Sequence, residues 1–132
     1  MKLLFRHPKL TALAIVVCAL ALYFVFHPPA SVRGQRVAQS DISSGRYIEL
    51  GYGLPTEWTS DYVRILHERY GVEHREVAGD VLSQSELEYY QAYNAVSTQA
   101  ANRRFGHDIF KECAEEARKN YSRNRAGART QP

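Results

Sequence analysis

Hydrophobic positions follow three regimes along this chain. Residues 10–26, LTALAIVVCALALYFVF, are apolar almost without a break, with Thr11 the one clear polar group, and His27, Pro28 and Pro29 end the run. A helix buried in a globular core normally keeps a polar stripe, and this run has none. It therefore predicts a helix for lipid, at the short end of what crosses a bilayer. Tyr23 and Phe24 fall near its end, the depth at which amphipathic aromatics collect. Residues 30–44, ASVRGQRVAQSDISS, have only Val32, Val37 and Ile42 as larger apolar side chains and are expected to form a linker.

From Arg46 onward short periodic segments alternate. RYIEL at 46–50 is a strand candidate, ended by the turn Gly51, Tyr52, Gly53, Leu54, Pro55. Trp58, Tyr62, Ile65, Leu66 and Tyr70 then recur at spacings of three and four, with Thr56 or Thr59 available as N-cap and Gly71 where a C-terminal cap belongs, which predicts a helix. VEHREVAGDVL at 72–82 is a second strand candidate, kinked at Gly79. Ser83 and Glu86 form a capping box that opens a helix through Leu87, Tyr90, Tyr93 and Asn94, with an interruption expected near Ser97 before Phe105 and Gly106. Asp108 can cap a last helix whose stripe is Phe110, Cys113, Ala114, Ala117 and Tyr121.

A strand, helix and strand this close together pair in parallel with a right-handed crossover. The expected fold is α/β (or α+β): a small two-layer domain with a short parallel sheet and about three helices, behind one N-terminal transmembrane helix. The expected organisation is a signal-anchor segment at 1–29, a linker at 30–44, the domain at 45–121 and a disordered basic tail at 122–132. Two strands alone make a poor sheet, so a further strand near Val37, a second copy or a partner protein is expected at the open edge.

Charge sharpens this picture. All fourteen acids lie between Asp41 and Glu116, against seven bases in the same stretch, so the body is acidic. Lys2, Arg6 and Lys9 precede the apolar run, and Arg118, Lys119, Arg123, Arg125 and Arg129 follow the last acid. The bases ahead of the run outweigh Arg33 and Arg36 after it, which favours a cytoplasmic N-terminus and an extracytoplasmic domain, and in that location nucleic acid is no expected partner. Cleavage near Ala21, at the small-x-small site Ala19, Leu20, Ala21, would give a secreted factor instead. Its mature chain would begin LYFVFHPP, unusually apolar for an exported terminus, so a retained single-pass anchor is expected. Cys18 lies in the run and Cys113 in a helical pattern, which leaves no disulfide within the domain.

Candidate chemistry is sparse. Gly51, Gly53 and Thr56 join a strand to a helix, where backbone N–H groups can hold an anion, although a plain tight turn explains them as well and no P-loop or dinucleotide fingerprint is present. Asp80, after Gly79, stands where α/β proteins often place an acid, and solvation explains it equally. His67, His74 and His107 lack metal-ligand spacing, so neither a metal nor a cofactor is expected, and surface or satisfied histidines are the plain reading. A Cys113–His107 nucleophile pair has no supporting signature, and no catalytic residue is assigned. Tyr89, Tyr90 and Tyr93 put aromatics on two faces of one helix and suggest an interface, against the plainer reading of a core helix with hydroxyls at solvent. The expected function is a membrane-anchored, non-enzymatic binding or assembly module. The alternative is a small ligand-binding or hydrolytic domain using the 51–56 loop with Asp80 or a histidine.

Overall fold

A computed structural model describes residues 8–79 and 81–129. The described chain mixes helix and strand in the order α1 (Pro8–Phe26), α2 (Ala30–Ser43), β1 (Ile48–Tyr52), α3 (Thr59–Tyr70), β2 (Glu73–Ala78), α4 (Gln84–Phe105) and α5 (Ile109–Arg129). β1 and β2 pair in parallel, Glu49 opposite His74 and Gly51 opposite Glu76, with an irregularity between Gly51 and Tyr52. Because side chains alternate along a strand, Ile48 and Leu50 point to one face, and Glu49, Gly51, His74 and Glu76 to the other.

Both faces are covered, so the domain has three layers where two were expected. On the first face Ile48 and Leu50 pack with Ala38 of α2 and Tyr93 of α4. Beyond the second face, α3 and α5 close a core of Tyr62, Ile65, Leu66, Val72, Ala101, Ile109, Cys113 and Ala117, with Tyr47 of the segment before β1 packed on it.

Side-chain contacts fix the direction of each helix against the sheet. Ser97 bonds Ile48, Asn94 bonds Leu50 and Tyr90 stacks on Tyr52, so β1 and α4 run opposite ways. α2 turns tightly into β1, the Arg46 N–H bonding the Asp41 carbonyl at 2.9 Å. At its other end α2 lies on Tyr89 and Tyr93, where a Cβ on Gly34 would fall 2.3 Å from the Tyr89 carbonyl oxygen. α2 and α4 therefore both begin at the end where the strands finish.

The expected linker at 30–44 is thus a packed helix. Its contact stripe, Ala30, Gly34 and Ala38, is buried but made of small residues at a spacing of four. Such a stripe carries no hydrophobic bulk and yet allows backbones to approach closely. Val37 lies on the outer side of α2 and supplies no strand. The strands span 48–52 and 73–78 where 46–50 and 72–82 were expected. α4 is continuous through Ser97. α5 runs on through the expected tail to Arg129, since Arg and Ala propagate a helix already nucleated by packing.

Three local expectations match. Gly71 closes α3 with φ 65°, the Ser83–Glu86 capping box is formed, and the Asp108 carboxylate accepts the Lys111 N–H. The cap of α3 differs: Trp58 occupies it without a side-chain bond, and the Thr59 hydroxyl accepts the Thr56 N–H in the turn before it. On α1 every side chain from Ala12 to Phe26 is exposed. Among the described residues no single helix is long and apolar enough to cross a membrane, although Thr11–Phe26 and Ala30–Ser43, bent by 49°, meet the measure as a pair. α2 is committed to α4, so only α1 of that pair lacks a protein surface.

Candidate functional site

The second face of the sheet carries a cleft of about 990 Å³. Its floor is the alternating row Glu49, Gly51, His74 and Glu76. Tyr52, Leu54, Pro55, Trp58, Val63, Phe110 and Ala114 give it largely apolar walls.

The polar centre is a chain of three side chains. Tyr62 donates its hydroxyl to the Glu49 carboxylate at 2.8 Å, and Nδ1 of His74 lies 2.9 Å from the same carboxylate. An ionised carboxylate only accepts, so the network assigns the proton to Nδ1. The pair is largely shielded, with side-chain exposures of 15% for His74 and 20% for Glu49. Burial, and then the Glu49 charge, push the Tyr62 phenol far above its ordinary value, so it stays a donor. Nε2 of His74 reaches over Gly51, where an added Cβ would lie 2.4 Å from it. No hydrogen bond reaches Nε2 among the described residues, and it borders the cleft.

Sequence reading missed Glu49 and Tyr62 as site residues and left His74 among histidines that are surface or satisfied, with a histidine beside the 51–56 loop only as the alternative. A signal existed: in parallel strands of known register, Glu49 and His74 occupy the same face.

Gly51, Gly53 and Thr56 do line this cleft. They do not form an anion cradle. The Gly53 N–H bonds the Gly79 carbonyl and the Thr56 N–H bonds Thr59, so two of the expected donors are already used. Gly51 sits inside β1 and makes room for the imidazole. Asp80 lies outside the described residues.

The tyrosine surface breaks up. Tyr93 is 2% exposed in the core, its hydroxyl on Asp41 at 2.7 Å, so it offers nothing to a partner. Tyr89 stacks on Tyr93 and Tyr90 on Tyr52, each half-buried. His107 lies at the far end of the domain with Tyr70 and Glu112, and His67 is exposed. Cys113 is fully buried and burial pushes its thiol up to about 11, the opposite of an activated nucleophile. No group of three or more His, Cys, Asp or Glu side chains converges among the described residues. Comparison with protein-family models, curated proteins and solved structures finds no match.

Proposed function

We propose that this chain is a membrane-anchored domain that binds a small, partly apolar molecule in the cleft over the sheet. The observation carrying this reading is the Glu49–His74 pair on the cleft floor. One ring nitrogen is held by a carboxylate, and the other lies over Gly51 on the floor of a cleft that Trp58, Phe110 and Val63 also line. Ligand sites have this makeup, apolar walls with a few fixed polar groups that set orientation. A neutral Nε2 accepts a hydrogen bond, so the geometry suits a ligand with one donor group and an apolar body.

Binding is favoured over hydrolysis because a nucleophile must sit within hydrogen-bond reach of its base. The Thr56 and Thr59 hydroxyls bond each other at 2.9 Å, and no hydroxyl that could attack a substrate bonds His74 among the described residues. Anchoring rests on the exposed, unbroken apolar surface of α1, which water solvates poorly and lipid solvates well. The excess of Lys2, Arg6 and Lys9 over the bases following α1 favours a cytoplasmic N-terminus and an extracytoplasmic domain.

The test of binding uses the full chain in nanodiscs with para-fluorophenol as probe, followed by fluorine NMR. We expect its line to broaden with the wild-type chain and with His67→Ala, and to stay sharp with His74→Phe. Equal broadening in all three, or none with the wild type, would refute the site. External protease acting on sealed cells checks the orientation: digestion of the domain supports it, and protection reverses it.

A further inference from the structure

We infer that the end of the domain where the parallel strands finish docks on an anionic bilayer surface, with the basic end of α5 against the headgroups. This rests on the anchored reading above and adds a partner surface to it.

Four features meet at that end. α2 begins there, so α1 leaves the body from that side, at 49° to the α2 axis. α3 also begins there, directly after β1, and α5 runs antiparallel to α3. At the far end Arg69 bonds Glu112 and Glu116, whereas Asn120 bonds Asp61, Arg118 lies over Trp58 and Tyr121 bonds Glu57. Once Tyr121 has reached Glu57, just ahead of α3, α5 continues through 122–129, about 12 Å at the rise of an α-helix, past the end of the domain.

That projection is basic. After Glu116 the described helix carries Arg118, Lys119, Arg123 and Arg125 and no acid, and the exposed Arg33 and Arg36 lie on the first turns of α2. Of the described acids nearby, Glu57 is bonded by Tyr121, Glu86 by Ser83, Glu88 by Gln84, and Asp61 by Arg64 and Asn120, while Glu76 is exposed on the sheet; Asp80 lies outside the described residues. Ionic screening acts over about 10 Å, so the bases that α5 carries past the domain end are the charges set to act on a surface there. Leu54 and Val81 are 76% and 86% exposed in the two loops at this same end, which are tied by the Gly53–Gly79 hydrogen bond of 3.2 Å. Bases with a few exposed apolar side chains are the composition that an anionic interface takes up. A bilayer is also the one surface that the anchor brings to this end.

Trp58 is the sole tryptophan and lies at this end, so it reports docking directly. The full chain is placed in nanodiscs of phosphatidylcholine alone, or of equal parts phosphatidylcholine and phosphatidylglycerol, each with lipid brominated close to the headgroup. We expect stronger Trp58 quenching in the anionic discs, reversed by high salt. One base near an anionic surface is worth about fivefold, so losing two lowers the docked-to-undocked ratio by roughly 25-fold, and Arg123→Glu with Arg125→Glu, which also adds two repelled charges, should lower it by more than that, while Arg123→Lys with Arg125→Lys keeps it. Equal quenching in both lipids, or quenching untouched by the Glu pair, overturns the docking surface alone if the chain still co-migrates with the discs. A chain that does not co-migrate with either disc overturns the anchored reading and the docking with it.

Discussion

Gly51→Ala probes the cleft floor most sharply. The added methyl would lie 2.4 Å from Nε2 and 2.6 Å from Cε1 of His74, inside the closest approach of real atoms. The imidazole is the end of a side chain and could swing away were it free, but Glu49 holds its other nitrogen at 2.9 Å. Displacing the ring loses a mostly buried hydrogen bond to a charged partner, about 1.5–3 kcal/mol. Alanine in a strand interior recovers roughly 0.5–1 kcal/mol over glycine through backbone entropy. The net destabilisation expected is therefore about 1–2 kcal/mol. In a His74→Ala background the clash is gone and only the entropy gain remains, so the same Gly51→Ala change should turn neutral or stabilising. Urea unfolding of the four chains in mild detergent, followed by Trp58 fluorescence, measures the cycle. A Gly51→Ala cost that is the same with and without His74 would refute the placement of the ring over Gly51 and, with it, the geometry assigned to the site.

Two polar groups bonded within the fold give further expected outcomes. Ser97→Ala should destabilise the domain by about 2 kcal/mol in chemical denaturation, because the Ser97 hydroxyl donates to the Ile48 carbonyl at 2.6 Å and accepts its N–H at 3.3 Å, and alanine leaves both unmatched. At Asp41 burial raises the pKa, but the bonds from Tyr93 and Arg46 outweigh it and hold the carboxyl below its ordinary 3.8. The stabilisation is therefore present above that value and lost as pH falls through the folded one, so the Tm gap between wild type and Asp41→Asn should narrow in that acid range and nowhere above it.

What the sequence made legible were features with local signatures. The glycine stop of α3 and the Ser83–Glu86 box depend on neighbours a few residues away, and both formed as expected. α2 was hidden because a helix that packs through Ala30, Gly34 and Ala38 looks as polar as a linker. Ser97 suggested a break because serine competes for backbone hydrogen bonds, and nothing local announces a strand edge that will use its hydroxyl. The site was half legible. Gly51, Gly53 and Thr56 line the cleft, but its chemistry lies in Glu49, Tyr62 and His74, which come from three elements and meet only once the strand register is known.

The edge of β1 explains how two strands suffice. Tyr47 presents its carbonyl to β2, accepting the Glu73 N–H at 2.9 Å, so Ile48 and Leu50 turn their backbone groups outward. There the Ser97 hydroxyl serves both groups of Ile48, and the Asn94 amide serves both groups of Leu50, each of the Asn94 contacts at 2.8 Å. Tyr90 continues the row by stacking on Tyr52. Positions 97, 94 and 90 lie about one helical turn apart, close to the two-residue repeat of a strand, so one face of α4 stands in for a third strand and sets its register. A second copy or a partner adding a strand would have to displace α4 from this edge. Among the described residues the other sheet edge belongs to β2, whose Glu73, Arg75 and Glu76 are exposed charges of the kind that discourage strand addition. Sheet completion by a partner, the assembly suggested by strand count, thus loses its physical motive, and the balance moves to the cleft on the opposite side of β1's pleat.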